Sequence, residues 1–145
     1  MQLKQSGPSG GIGGEEFSDD VSANDCQVME VHIYAQEQVH GIQIIHETCD
    51  GCRHAFPLHG RASGECHILN VAADEFITSI SGRYGTQVAS IRIQTNKKQS
   101  PPLGEEGGDG FYRYEAPSGA EIVGFCGRAS DTVNAIGVLL RRRGL

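Results

Sequence analysis

The stretch GRASDTVNAIG, residues 127–137, joins two apolar runs near the end of the chain. The run before it, at 121–126, reads EIVGFC, and the run after it occupies 133–140. Glycine stands at both ends of the stretch, and Asp131 and Asn134 lie three residues apart within it. Two apolar runs joined by a short polar turn predict a β-hairpin. Such a turn can gather side-chain acceptors and backbone N–H groups at one point.

The second arm of this hairpin begins with a pattern that recurs twice earlier in the chain. VNAIGV at 133–138 matches VASIRI at 88–93 and VHGIQI at 39–44, at nearly equal spacing. Each copy reads Val, any residue, a small residue, Ile, any residue, then Ile or Val. Repeats at such a spacing indicate one supersecondary unit that is used several times.

Each earlier copy also follows a strand and a turn. Apolar and polar residues alternate over 29–34, which is the periodicity of a half-buried strand, and 42–45 returns after a turn. The inward-facing set is Met29, Val31 and Ile33. A second hairpin pairs 76–80 with 89–93. Without 3.6-residue periodicity over ten or more residues, the sequence predicts an all-β, antiparallel fold with approximate threefold symmetry.

Composition narrows the class of protein. The chain has 145 residues, which suits a single domain over 1–145. Its net charge is −6 and its pI is about 5.4, so it lacks the basic surface that is typical of nucleic-acid-binding proteins. Basic residues cluster only at 141–143, which we expect to be a solvated tail. No apolar run approaches the ~20 residues of a membrane helix. The N-terminus indicates either a cytoplasmic protein starting at Met1 or a secreted mature chain with an added methionine.

The segment 7–14 holds five glycines in eight positions, which brings backbone N–H groups close to any ligand. A phosphate-binding glycine turn is disfavoured because no βαβ pattern surrounds it. The segments 53–64 and 95–110 are rich in glycine, proline and polar residues and are predicted to be loops.

The five cysteines permit several interpretations. A zinc site is conceivable from the set Cys49, Cys52, His54, Cys66 and His67, but the adjacency of the last two is awkward for one metal. The Cys-x-x-Cys motif lacks the βαβ setting of a thioredoxin-like site. A disulfide clamping the 53–64 loop and fully reduced thiols both stay open, depending on the compartment. Cys26 is unassigned, and Cys126, inside an apolar strand, is predicted to be a core residue.

Four segments together resemble the jacalin-related lectins, in order and over nearly the whole chain. They are GPSGGIGGEEFSDD at 7–20, ADEFITSISG at 73–82, SIRIQTNK at 90–97, and IVGFCGR at 122–128 continuing to NAIG at 134–137. The resemblance implies a β-prism I fold of three four-stranded Greek-key sheets, in agreement with the repeat. It also implies a carbohydrate-binding protein that uses no metal, no cofactor and no catalysis.

In mannose-binding members of this family, the last glycine of the first loop and a Gly-x-x-x-Asp motif of the closing turn form the sugar site. The resemblance therefore implies sugar contacts from Gly14, Asp131, Thr132 and Asn134. Two positions depart from the motif, because Ser130 stands in place of its glycine and Asn134 in place of its aspartate. Ser130 is strained if that position requires φ > 0. The expected border of the site consists of Ser130, Val133, Arg83 and Tyr84.

These observations predict a lectin for mannose- or glucose-type glycans and glycoproteins, with no membrane insertion and a possible homodimer through flat prism faces. On the other two hairpins, His40 and Ala89 follow the repeat valine, so one main site on the third hairpin is expected. The alternative function is a β-prism that has lost sugar binding and acts in protein–protein interaction. The replacements at Ser130 and Asn134 motivate that alternative.

Overall fold

The computed structural model describes residues 3–22, 24–105 and 107–143, and all regular structure in these ranges is β-strand. No helix in the described part of the chain is long and apolar enough to cross a membrane. The thirteen strands are β1 (Leu3–Gly10), β2 (Glu15–Ser18), β3 (Asp25–Ala35), β4 (Val39–Thr48), β5 (Arg53–Ala55), β6 (His59–Gly60), β7 (Glu65–Asn70), β8 (Ile77–Tyr84), β9 (Ser90–Thr95), β10 (Leu103–Gly104), β11 (Gly110–Glu115), β12 (Ala120–Ala129) and β13 (Val133–Arg142).

The strands form three antiparallel units of four positions each. The β8–β11 unit has the spatial order β11-β8-β9-β10, and the β3–β7 unit has the order β7-β3-β4, with β5 and β6 sharing the position beyond β4. In both, the fourth strand returns to lie beside the first, which is the Greek-key order. The backbone pair of Ile122 with Ile77 joins β12 to β8 and so connects the β8–β11 unit to the terminal hairpin. The expected all-β, three-sheet architecture is confirmed.

The third unit, here called the terminal unit, is assembled from both ends of the chain. Its order is β2-β12-β13-β1, so the hairpin β12–β13 holds the central places and the two first strands flank it. Counted from β12, this is the same Greek-key order as in the other two units. Gly10 pairs with Ala135, and Glu15 pairs with Ala129. The glycine-rich loop at 11–14 therefore lies beside the closing turn at 130–132.

The three repeat valines meet where the hairpins converge. Val39, Val88 and Val133 are completely buried. The Val39 N–H donates to the carbonyl of Val88 at 3.0 Å, and the Val88 N–H donates to the carbonyl of Val133 at 2.9 Å. The sequence repeat thus marks the place where one end of each hairpin is tied to the next.

The core confirms the alternation read from the sequence, with one exception. Val31 and Ile33 are buried as expected, but Met29 is only partly buried and Val28 takes the inward place at 2% exposure. The pairing register shifts between Val28 and Glu30, which marks a β-bulge at this point. A bulge adds one residue to one strand and reverses the side-chain phase on either side of it. The isoleucines at 0% exposure are Ile42, Ile44, Ile77, Ile80, Ile91, Ile93, Ile122 and Ile136.

The predicted loops contain short strands. The segment 53–64 holds β5 and β6, the segment 95–110 holds β10, and the first half of the glycine-rich segment 7–14 belongs to β1. Strands of two or three residues are too short to show a period of two. Their pairing is fixed instead by the longer neighbouring strands β4 and β9.

The disulfide differs from the one considered in the sequence. Cys26 is bonded to Cys49 with their Cα atoms 5.1 Å apart, which closes the open end of the β3–β4 hairpin rather than the 53–64 loop. Cys52 and Cys66 are exposed free thiols. Cys126 is 2% exposed, which confirms its predicted place in the core.

The expected solvated tail at 141–143 is wrong for Arg141 and Arg143, whereas Arg142 is exposed. Arg141 lies on β13 and donates to the backbone carbonyls of Asp25 at 2.5 Å and of Cys26 at 3.0 Å. Its guanidinium also lies 3.7 Å from the Glu121 carboxylate. Arg143 stacks over the Phe76 ring at 3.8 Å from its centroid. The prediction failed there because charge alone does not show that β13 continues to Arg142.

Candidate ligand-binding site

The glycine-rich loop and the closing turn form one compact structure at the end of the terminal unit. The Gly11 N–H donates to the carbonyl of Asn134 at 2.9 Å. Gly14 has φ +76°, and a Cβ on it would lie 2.6 Å from the carbonyl oxygen of Ala129 and 2.7 Å from Asn134 Oδ1. Only glycine combines this backbone angle with so close an approach. Gly14 and Asn134, which the sequence predicted to share a site, are therefore neighbours.

The Asn134 side chain is held within this structure at 7% exposure. Its amide oxygen accepts a hydrogen bond from the Ser130 hydroxyl at 2.9 Å. Its amide nitrogen would lie 3.3 Å from a Cβ on Gly13, so the amide faces the glycine loop. An amide oxygen has two acceptor positions and the NH₂ group has two donor hydrogens. Ser130 uses one acceptor position of the four hydrogen-bonding positions of this amide.

Ser130 fits the turn without backbone strain. Every residue of positive φ in the described ranges is a glycine, so Ser130 adopts an ordinary backbone conformation. Its N–H donates to the carbonyl of Thr132 at 2.9 Å, which closes the turn. The glycine that the family motif has at this position is thus not needed for the turn seen here.

The remaining residues of the turn differ in their exposure to solvent. Asp131 is exposed, whereas Thr132 is 8% exposed and its hydroxyl is buried without a hydrogen-bond partner among the described residues. The Val133 side chain is completely buried in the core. Thr132 and Val133 can therefore meet a ligand mainly through their backbone, and Asp131 can also offer a carboxylate.

Arg128 is a component of this structure that the sequence reasoning missed. Its guanidinium donates to the carbonyls of Gly13 at 3.2 Å and Gly14 at 2.7 Å, and it lies 3.6 Å from the Glu16 carboxylate. These bonds hold the last two residues of the glycine loop against β12. Its position immediately before the turn was the available signal, but a lone arginine there does not reveal a backbone partner more than 110 residues away.

The second hairpin also approaches this end of the prism, through a residue that was not predicted. A Cβ on Gly11 would lie 2.1 Å from the carbonyl oxygen of Thr86. The predicted border residues Arg83 and Tyr84 contact residues outside the glycine loop and the closing turn. Arg83 donates to the carbonyl of Gly108 at 3.1 Å, and the Tyr84 ring packs over Gly110. Their role at the border of the site stays a prediction.

Equivalent loop pairs occur in the other two units. The Arg61 N–H donates to the carbonyl of His40 at 2.9 Å, and the Glu105 N–H donates to that of Ala89 at 3.2 Å, as Gly11 does to Asn134. Asn134, His40 and Ala89 are thus the same position on three hairpins. Alanine has no polar side-chain atom, so the β8–β11 unit offers no side-chain contact at this position.

Within the ranges that the structure describes, no three His, Cys, Asp or Glu residues are placed to hold a metal ion. Cys49, one of the residues considered for zinc, is engaged in the disulfide with Cys26.

Comparison with known proteins agrees with this architecture. Residues 6–139 match the family model of the jacalin-like lectin domain. An agglutinin from Castanea crenata is 35% identical over 143 residues, covering 91% of this chain and 45% of the agglutinin, so the chain spans less than half of that relative. The crystal structure of Calsepa lectin in complex with a biantennary N-glycan superposes with a TM-score of 0.84 at 27% identity, covering 99% of both chains. The artocarpin–mannotriose complex gives a TM-score of 0.84 at 25% identity, covering 97% of this chain and 99% of artocarpin.

The fold and the loop pair define a β-prism of the kind found in lectins, which bind carbohydrates without catalysing a reaction. The chain belongs to the jacalin-like lectin family.

Proposed function

We propose that this chain binds mannose- or glucose-type sugars of glycans and glycoproteins at the loop pair of the terminal unit. The proposed contact residues are Gly14, Asp131, Thr132 and Asn134. The observation that carries the proposal is the fixed approach of Gly14 to Asn134, with a Cβ position only 2.7 Å from Oδ1. That Calsepa and artocarpin structures contain a biantennary N-glycan and mannotriose supports this class of sugar.

The chemistry of the loop pair suits two neighbouring hydroxyls of a pyranose. Each sugar hydroxyl both donates and accepts, so two adjacent ones need an acceptor and a donor close together. The amide of Asn134 supplies an oxygen acceptor beside an NH₂ donor, and the backbone N–H groups of Gly14, Asp131 and Thr132 supply further donors. The bonds from Arg128 and Ser130 hold these groups in place before a ligand arrives. Such preorganisation lowers the entropy cost of binding.

Isothermal titration of the intact protein with methyl α-mannoside and methyl α-glucoside tests the proposal. Asn134→Ala removes both the acceptor and the donor of the amide, so we expect its affinity to fall at least about tenfold, which corresponds to about 1.4 kcal/mol. His40→Ala changes the equivalent position of the β3–β7 unit and serves as the matched control, with affinity unchanged. Absence of binding at millimolar sugar by the wild-type protein would contradict the proposal.

A second function is favoured by one observation. The Ser130 hydroxyl occupies one acceptor position of the Asn134 amide, and the side chain is only 7% exposed. A turn satisfied by its own bonds suits a prism that has lost sugar binding and interacts with proteins. If Asn134→Asp creates mannoside binding in a protein that otherwise shows none, this second function is the correct one.

A further inference from the structure

Three surface cysteines lie at the open end of the β3–β4 hairpin, and none of them belongs to the candidate sugar site. Cys26 falls where the β3 register shifts, between Asp25 and Gln27, and Cys49 directly follows β4. The two are disulfide-bonded, and both are exposed. Exposed disulfides are the ones that thiols can reach and exchange with.

Cys52 is held in the same turn as Cys49. The Thr48 N–H donates to the carbonyl of Cys52 at 2.8 Å, and the Cys52 N–H donates to Thr48 Oγ1 at 3.1 Å. Between them, Gly51 has φ +86° and donates to the carbonyl of Thr48 at 2.9 Å. These bonds fold 48–52 into a tight turn that places Cys52 across from Thr48, the residue before Cys49.

Cys49 and Cys52 also face a common space. They line one surface cleft of about 450 Å³ together with Asn24, Thr48 and Asp50. Cys52 carries an exposed free thiol. The site therefore contains the Cys26–Cys49 disulfide and the free thiol of Cys52, which is three residues from Cys49 in sequence. All three residues are exposed to solvent. A Cys-x-x-Cys pair is a spacing at which proteins form and exchange disulfides.

We propose that Cys26, Cys49 and Cys52 form a thiol–disulfide exchange centre with two alternative pairings. The Cys52 thiol loses its proton to water, and the thiolate attacks Cys49 Sγ. The Cys49–Cys52 bond forms as the Cys26–Cys49 bond breaks, and the electron pair leaves on Cys26 Sγ, which takes up a proton. One disulfide and one thiol are present before and after the step, so no external oxidant or reductant is needed.

The exchange changes what holds the hairpin end together. In the observed pairing, the disulfide links the first residues of β3 to the end of β4, and Arg141 bonds the carbonyl of Cys26 at 3.0 Å. In the alternative pairing, the link lies wholly within the 48–52 turn and Cys26 becomes a surface thiol. The exchange thus converts a hairpin whose two strands are joined by a disulfide into one whose strands are not, and it moves the free thiol from Cys52 to Cys26.

Peptide mapping of the full chain under native conditions tests this inference. The protein is equilibrated at about pH 8, where part of an ordinary thiol is ionised. A large excess of maleimide is then added at the same pH, which labels the free thiols and stops exchange by consuming the thiolate. The labelled protein is digested without reduction and analysed by mass spectrometry. Wild type is compared with Cys52→Ser and with Cys66→Ser, which removes the other exposed thiol and is the matched control.

We expect wild type and Cys66→Ser to contain a Cys49–Cys52 peptide together with an equal amount of labelled Cys26. In Cys52→Ser, labelled Cys26 falls at least about tenfold, because the attacking thiolate is absent. A Cys49–Cys52 peptide missing from wild type at every time of equilibration overturns the proposal, as does labelled Cys26 at the wild-type level in Cys52→Ser. If Cys52→Ser does not fold by circular dichroism, Cys52→Ala provides the same comparison. None of these outcomes depends on sugar binding.

Discussion

The Ser130 hydroxyl donates a hydrogen bond to the Asn134 amide oxygen at 2.9 Å. These residues stand at the two positions where the turn departs from the Gly-x-x-x-Asp motif that the family resemblance implies. The two departures are structurally coupled, because the Ser130 hydroxyl donates to the amide oxygen of Asn134. It also shows that a carboxylate in place of the amide would keep this partner.

Asn134→Asp is expected to strengthen mannoside binding. A carboxylate can accept from two sugar hydroxyls and from Ser130 at once, and bonds to a charged acceptor are roughly twice as strong as neutral ones. The expected gain is about 1–2 kcal/mol, on the order of tenfold in affinity. Isothermal titration with methyl α-mannoside measures it. Ser130→Ala, which removes only the bond within the turn, is the companion variant and should change affinity much less. Equal affinity of wild type and Asn134→Asp would exclude direct contact between residue 134 and the sugar.

Gly14→Ala is expected to damage both the loop and the site. An alanine at φ +76° is strained, and its Cβ would lie 2.6 Å from the Ala129 carbonyl oxygen. The strain alone costs about 1–2 kcal/mol. Gly119→Ala isolates that strain, because Gly119 has φ +85° but a Cβ there meets no atom within 4 Å. Thermal unfolding and mannoside titration of both variants separate the two effects. If Gly14→Ala lowers stability no more than Gly119→Ala and leaves sugar affinity intact, Gly14 is not packed against the site as described.

The architecture was predictable because one short sequence pattern occurs three times along the chain. The valines at 39, 88 and 133 are each followed, three and five residues later, by branched apolar residues that are completely buried. Burial of one face of a strand imposes that two-residue spacing between the buried positions. The same reasoning placed Met29 inward, and there it was wrong. A bulge is decided by pairing between strands, which alternation within one strand does not record.

The candidate site was predictable only in part, and for a similar reason. Gly14 and Asn134 could be paired from the family resemblance, but the bonds of Arg128 to Gly13 and Gly14 and the approach of Thr86 to Gly11 depend on chain segments that are distant in sequence. The Cys26–Cys49 disulfide likewise follows from the register of β3 on β4. Cysteine spacing alone left its partner undetermined.

Glu30→Gln is expected to lower stability at neutral pH and not in strong acid. The Arg53 guanidinium bonds the Glu30 carboxylate at 2.6 Å and 3.2 Å, and His32 bonds it at 2.7 Å. These bonds, that of Arg53 foremost, lower the pKa of Glu30 from 4.5 to about 2. A carboxyl group with a lowered folded-state pKa stabilises the protein above its ordinary pKa and loses that contribution as the pH falls through its folded-state pKa.

The stability difference between wild type and Glu30→Gln should therefore be full above pH 4.5 and should close as the pH approaches about 2. Arg53 is half exposed, so the full difference is limited to about 1 kcal/mol by solvent screening. Urea unfolding at a series of pH values measures it. Glu47→Gln, at an exposed glutamate of the neighbouring strand, is the control and should show no such closing. A difference for Glu30→Gln that is constant down to the lowest pH would show that the ion pair is not its cause.

The three thiols outside the disulfide are expected to differ sharply in reactivity. Cys52 and Cys66 are exposed, whereas Cys126 is buried, and burial raises the pKa of its thiol to about 11. At about pH 8, such a thiol is ionised in only about one molecule in a thousand, and its side chain is shielded from reagent as well. Mass spectrometry of the native protein after maleimide treatment should therefore show two labels per chain, and a third only after unfolding in urea. The Cys126→Ser variant should take up the same two labels in the native state and no third label when unfolded. Rapid labelling of Cys126 in the folded protein would place it outside the core.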